Sequence, residues 1–265
     1  MKNHKKNLSR VTNVYLSTDK ELEYKREMDS FFKNSSGTYL EKLENFAKYV
    51  PRQRIAYFLA KYEMFKKVLD VQGVIVECGV YLGGGLMTFA QLSAILEPYN
   101  RQRKIIGFDT FEGFRELSKK DLTLSKIQQK PPVYKKEKGL SISLGEFNEL
   151  EKAIELFDKN RFMSHLQKVF LVKGDASKTI PLYLKKNPHT VISLLYLDFD
   201  LYRPTKTALE LLLPRIPKGG IVVFDELNTE IYPGETRAVM EMVGIHNLRI
   251  QRFPFEPNVS YAVIE

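Results

Sequence analysis

Residues 73–85 read GVIVECGVYLGGG: a β-branched run ends on an acid, Glu77, and then breaks into Gly79, Gly83, Gly84 and Gly85 before a helix-forming stretch. Valine and isoleucine suit a buried parallel strand, and the glycines permit a tight turn with close backbone approach to a ligand. This is the local chemistry of a nucleotide-cofactor site. No Gly-Lys-Ser/Thr follows, so the segment is not a phosphate loop, and the dinucleotide pattern GxGxxG is absent. A nucleoside without a phosphate tail is therefore expected rather than ATP or NAD. The competing reading is a glycine-rich packing turn that holds no ligand.

Further acids stand where the expected strands end: Asp109 in GFDTFEGF, Asp175 in KGDAS, Asp198 in LYLDFD and Asp225 in VVFDE. In a parallel sheet these ends converge on one edge. Buried carboxylates are costly unless ligand hydroxyls, amines or a metal compensate them. Asp109 is placed to accept from ribose hydroxyls, and Asp175 from an adenine amino group. Helix N-capping is the alternative for each acid taken alone. Asp198, Asp200, Asp225 and Glu226 come from two neighbouring strand ends, and several oxygen ligands on one edge suit a hard cation such as magnesium. Zinc is disfavoured, because no histidine or cysteine stands nearby.

The elements that would position these groups follow from periodicity. Runs VIVEC, KIIGF, KVFLVKGD, VISLLYLDFD and IVVFDE alternate with helical stretches at about 84–96, 146–165, 177–186 and 203–213, and LRIQRF and VSYAVIE read as a final antiparallel pair. The expected fold is α/β: a doubly wound, Rossmann-like, mostly parallel seven-stranded sheet with helices on both faces. Residues 1–70 are expected as an N-terminal helical extension, broken at Pro51, with Phe58, Leu59, Tyr62, Phe65 and Leu69 among its apolar positions. Residues 71–265 would form the nucleotide-binding domain. The lysine-rich stretch 115–145, with Pro131 and Pro132 and no steady periodicity, reads as a lid-like insertion over the site.

Composition bounds the function classes. With 265 residues, 43% hydrophobic and 28% charged, the chain is long enough for one large α/β domain and an appendage. It has no apolar run of transmembrane length, and its basic start, MKNHKKNLSR, lacks the apolar core of a signal peptide, so a cytoplasmic location is expected. The single cysteine, Cys78, excludes an intrachain disulfide. The net charge of +9 is spread along the chain without a nucleic-acid motif, which favours a solvated face, or attraction of an anionic small molecule such as a nucleotide-linked sugar.

Taken together, IVECGVYLGGG, IGFDTFEGF, LVKGDASKTIP, LYLDFDLYRPTKTALELLLPRIPKGGIVVFDE and YPGETRAV resemble the macrocin and mycinamicin sugar O-methyltransferase family over about residues 52–243. The resemblance implies a class I S-adenosylmethionine-dependent enzyme that uses Mg2+ to methylate a sugar hydroxyl. It implies that Glu77, Gly79, Tyr81, Gly83, Gly84 and Gly85 line the methionine part of S-adenosylmethionine, with Asp198 bordering the cofactor. Asp109 would hold the ribose, and Asp175 and Ala176 would meet the adenine. The implied metal ligands are Asp198, Asp225 and Glu226, the last standing where relatives carry Asp or Asn. Asp200 also matches a family aspartate.

The general base is sought among Asp198, Asp200 and His165, and Tyr202, Asn228, Glu235 and Arg237 are candidates for the acceptor side. The expected substrate is a sugar of a glycoconjugate or a nucleotide-linked sugar, with no membrane insertion. The helices before residue 70 would build a homo-oligomer interface or cap the site. Rival readings are an RNA or catechol-like methyltransferase, and a non-catalytic cofactor-binding module whose signature would be Glu226.

Overall fold

The computed structural model describes residues 18–114, 117–122, 142–230 and 232–265. Most of the insertion at 115–145 lies outside the described residues. The chain divides into a unit ending at Ile55 and a unit spanning Ala56–Glu265.

The first unit begins with α1 (Asp19–Asn34) and α2 (Tyr39–Glu44), followed by a 3-10 turn at Phe46–Lys48. Thr18 with Glu21, and Thr38 with Glu41, form reciprocal capping boxes that satisfy the first free N–H groups of each helix. The sequence reading placed one break here, at Pro51. A second break, at 35–38, uses Gly37 with φ of 99°.

Helix α3 (Arg52–Lys67) leads into the second unit, and its buried side chains are Ala60, Lys61, Met64 and Phe65. The strands β1 (Val74–Cys78), β2 (Ile105–Asp109), β3 (Val169–Lys173), β4 (Ile192–Leu197), β5 (Ile221–Phe224), β6 (Gln251–Phe253) and β7 (Glu256–Val263) form one sheet. Its order is β3-β2-β1-β4-β5-β7-β6; β7 pairs antiparallel with both β5 and β6, and the other pairings are parallel. Between them lie α4 (Gly84–Leu96), α5 (Leu144–Lys159), α6 (Ala176–Lys186) and α7 (Tyr202–Leu212). Helix α8 (Pro233–Met242), which the sequence reading did not assign, precedes β6.

The period of two along the strands sorts the core onto two faces. Ile75, Ile105, Leu194, Tyr196, Ile221 and Val223 pack with α3, α4 and α5. Val76, Cys78, Ile106, Phe108, Leu195, Leu197, Val222 and Phe224 pack with α6, α7 and α8. This is the expected doubly wound arrangement.

The strand order reverses at β1, which pairs in parallel with β2 on one side and β4 on the other. In open α/β sheets ligands bind outside the carboxyl ends of the strands at such a switch point. At the opposite edge, Arg103 ties the strand starts to the end of α3. Its guanidinium donates to the carbonyls of Val68, Leu69, Val71 and Gly73 and to Ser193 Oγ, and Nε pairs with Glu97 at 3.0 Å.

Candidate active site

Glu77, the penultimate residue of β1, is almost fully buried. Its Oε1 accepts from Lys61 Nζ at 2.9 Å, whereas Oε2 is buried without a hydrogen-bond partner. Burial raises its proton affinity despite the opposing lysine. An orphaned carboxylate oxygen is expensive, so this acceptor fits a donor brought by a ligand.

The glycines explain how α4 reaches that acid. Gly79 and Gly83 have φ of 100° and 83°, a region that L side chains rarely adopt. A Cβ on Gly85 would come within 2.1 Å of Glu77 Oε1, so the first turn of α4 lies directly against the carboxylate. A Cβ on Gly83 would meet Leu150 of α5 at 2.2 Å. Gly84 alone of the four faces open space. Close packing therefore accounts for three of the glycines, and the helix start at Gly84 is where a ligand could approach.

Asp109 ends β2. Its Oδ2 accepts from the backbone N–H of Val80 and Tyr81, and its Oδ1 from that of Phe111. The carboxylate thus fixes the turn after β1 as well as its own. Tyr81 sits at φ of 50° within that turn. Asp175 caps α6, accepting from Ser177 N–H at 2.9 Å, and Ala176 is buried at its first position.

Across the switch point, Asp198 N–H donates to Cys78 carbonyl oxygen at 2.7 Å, which extends the β1–β4 ladder to the acid itself. Burial, Asp225 and Asp200 together hold the Asp198 carboxyl well above the usual carboxylate range. Asp200 is buried, with φ of 61°, and is raised likewise by burial and then by Glu226, Asp225 and Asp109. Asp225 accepts from the hydroxyl of Tyr196 at 2.5 Å, and the Tyr57 hydroxyl lies 3.0 Å behind it. Glu226 is pushed up to about 7 by burial, with a hydrogen bond from Thr229 opposing. Glu235, on α8, accepts from Glu226 N–H through Oε1 and buries Oε2 without a partner.

Strain collects on this edge. Tyr81, Phe111, Asp200 and Asn228 follow β1, β2, β4 and β5, and each holds a positive φ that only glycine adopts freely. Sequence reading missed this feature. It also missed Lys61, Tyr57 and Tyr196; the available signal for the lysine was its place four residues from Tyr57 and from Phe65, on the stripe α3 buries.

One candidate falls away. His165 is exposed and precedes β3, on the amino side of the parallel strands, whereas the acids stand at their carboxyl ends. It is not brought together with them. As for a metal, the oxygen donors are the kind a hard cation takes, but among the described residues no three His, Cys, Asp or Glu side chains are gathered so as to hold an ion.

A family model of macrocin O-methyltransferases (TylF) matches residues 7–250. The chain belongs to that family. Among solved structures, this methyltransferase is similar to CalS11, described as a calicheamicin methyltransferase, at 34% identity and a TM-score of 0.85, with 93% of each chain covered. A second structure, described as CalS11, a TDP-rhamnose 3'-O-methyltransferase, matches at 33% identity and a TM-score of 0.79, covering 93% of this chain and 95% of that one. The O-methyltransferase NovP shares the fold, at 20% identity and a TM-score of 0.58 over 79% and 80% of the two chains. No curated protein sequence matches significantly. Among the described residues of the methyltransferase, no helix is long and apolar enough to cross a membrane.

Proposed function

We propose that this methyltransferase transfers the methyl group of S-adenosylmethionine to a hydroxyl of a sugar, carried on a glycoconjugate or a nucleotide. The observation that carries the reading is the half-satisfied Glu77 at the switch point, beside the first turn of α4 and across from Asp198. Glu77 would receive the amino group of the cofactor, with the turn at 79–85 along its methionine part. Asp109, Asp175 and Ala176 would border the ribose and adenine. Support for a sugar acceptor comes from the family and from the nucleotide-sugar enzyme named among its relatives.

The cofactor supplies an electrophilic methyl on a sulfonium, and a neutral alcohol is a poor nucleophile for it. Asp200 is the base we assign. Burial and the surrounding acids raise its proton affinity, the direction that proton acceptance requires. As the alcohol oxygen forms its bond to the methyl carbon, the carbon–sulfur bond breaks and the hydroxyl proton passes to the Asp200 carboxylate. Asp198, Asp225 and Glu226 offer the oxygen donors a hard cation takes, and Mg2+ held there would neutralise these acids and acidify the acceptor hydroxyl, although in this structure the three are not gathered about one point.

Isothermal titration with S-adenosylmethionine and S-adenosylhomocysteine is the first test, and binding of neither would end this reading. A panel of nucleotide sugars with mass-spectrometric detection of methyl addition then reads the acceptor. Transfer to RNA or to vicinal phenols, with none to sugars, would replace the sugar by those acceptors.

A further inference from the structure

Lys61 is 0% exposed, among the largest side chains sealed in this protein. Its ammonium lies 3.3 Å from the ring centroid of Tyr196, 4.4 Å from that of Phe89 and 4.9 Å from that of Tyr57. Its hydrogen-bonded partner is Glu77. An apolar pair of similar volume would serve packing as well or better, since burying two charges costs more than their attraction commonly returns. A fold that keeps such a pair at the end of its first strand is holding something in place.

What it holds is the orientation of one carboxylate. Lys61 engages Oε1, and the first turn of α4 closes on the same oxygen, since a Cβ on Gly85 would come within 2.1 Å of Oε1 and 3.0 Å of Lys61 Nζ. The aromatic faces fix the ammonium from the other sides. Oε2 is left as the acceptor without a partner. The two oxygens of Glu77 are therefore unequal before any ligand arrives, and Lys61 is what makes them so.

We propose that Lys61 is a positioning residue for the cofactor: by occupying Glu77 Oε1 it presents Oε2 to the α-ammonium of the amino-acid tail. This rests on the reading of the site as one for S-adenosylmethionine. It separates the amino-acid end of the ligand, which depends on Lys61, from the nucleoside end, which does not.

Two probes distinguish those ends. S-Adenosylhomocysteine carries the amino-acid tail, and 5'-methylthioadenosine keeps the nucleoside and sulfur without it. Titration calorimetry on Lys61→Met should show S-adenosylhomocysteine weakened about tenfold or more, the cost of one misdirected charged hydrogen bond, with methylthioadenosine within about threefold of wild type. Parallel loss of both ligands would reduce Lys61 to a packing role and overturn the proposal, as would an unchanged affinity for S-adenosylhomocysteine. Should Lys61→Met fail to fold, Lys61→Gln keeps a polar head but is uncharged and one atom too short to hold Oε1 as Lys61 does, so the same collapse in the ratio of the two affinities is expected. Failure of the wild-type protein to bind either probe would instead remove the cofactor reading itself.

Discussion

Gly79 backs directly onto the main chain of Asp198: a Cβ at position 79 would stand 1.9 Å from the Asp198 carbonyl oxygen and 2.7 Å from its carbonyl carbon. The turn after β1 and the acid after β4 are thus one packed unit at the switch point. Whatever moves that turn moves Asp198.

Gly79→Ala is accordingly expected to destabilise the fold severely. The obstacle is backbone rather than a flexible side-chain end, and φ of 100° is unfavourable for alanine even in open space. We expect a loss of about 3 kcal/mol or more in urea unfolding, from strain and overpacking combined. Gly84→Ala is the control: nothing lies within 4 Å of its added Cβ, so its stability should hold, while the approach to the helix start narrows.

Asp225→Asn tests the proposed metal edge without emptying it. An asparagine Oδ1 can still accept from Tyr196, so the Tyr57–Tyr196–Asp225 chain keeps its shape. Methyl transfer should fall by about 100-fold or more if this carboxylate supports charge compensation at the acceptor, the scale seen when one electrostatic contribution is removed. Affinity for S-adenosylhomocysteine should stay within about threefold, because the proposed cofactor contacts lie at Glu77 and the turn. Full activity in the variant, and in the presence of EDTA, would remove magnesium from the account.

Much of this was legible in the chain before its structure. The five parallel strands and the acids at or beside their carboxyl ends follow from β-branched runs closing on Asp or Glu, a strong signal because burial on both faces leaves few other patterns; the antiparallel pair follows from LRIQRF and VSYAVIE. The buried face of α3 was not legible. Phe58 and Leu59 look like core positions, yet they are 40% and 45% exposed, and the buried stripe runs through Ala60, Lys61, Met64 and Phe65. Hydrophobicity alone cannot place a buried lysine, because its partner, Glu77, lies 16 residues away on a strand. Helix α8 escaped for a related reason: its opening Pro-Gly reads as a turn, although proline is favoured in a helix's first turn. The four positive-φ residues of the site's edge left no trace, being tyrosine, phenylalanine and two side chains common in any loop.

Arg103 should prove the most costly single residue at the far edge of the sheet. Its guanidinium satisfies four backbone carbonyls and Ser193 while pairing with Glu97. Arg103→Met would fill much of the space but take this donor from those acceptors and leave a mostly buried Glu97 carboxylate without its cation, with Ser93 and Asn100 still donating to it. We expect about 3–5 kcal/mol lost, measured by chemical denaturation, as for removal of one partner from a buried ion pair. Cofactor affinity of the fraction that remains folded should be unchanged, since Arg103 sits before β2 and the site lies after it.

Lys168 gives a pH dependence of stability whose sign can be worked out. Lys168 is 5% exposed; burial lowers its pKa from 10.5 to about 8, and its ammonium donates to the Asn100 carbonyl at 2.7 Å. A lysine that is more acidic when folded sheds its proton more readily in the native state than in the unfolded one. Between about pH 8 and 10.5 the unfolded chain therefore binds more protons, and this group's contribution makes the protein more stable as pH rises. Below about pH 8 both states are charged and the full penalty of the buried ammonium is present. In Lys168→Met that penalty is gone, along with one hydrogen bond that shifts the comparison by a roughly constant amount. The difference in unfolding free energy, wild type minus variant, should thus climb by about 2–3 kcal/mol between pH 7.5 and pH 10.5, the scale that a shift of this size implies. Urea denaturation of both proteins across that range checks it. A flat difference would mean that Lys168 keeps an ordinary affinity for its proton, with Asn100 and Glu97 compensating its burial.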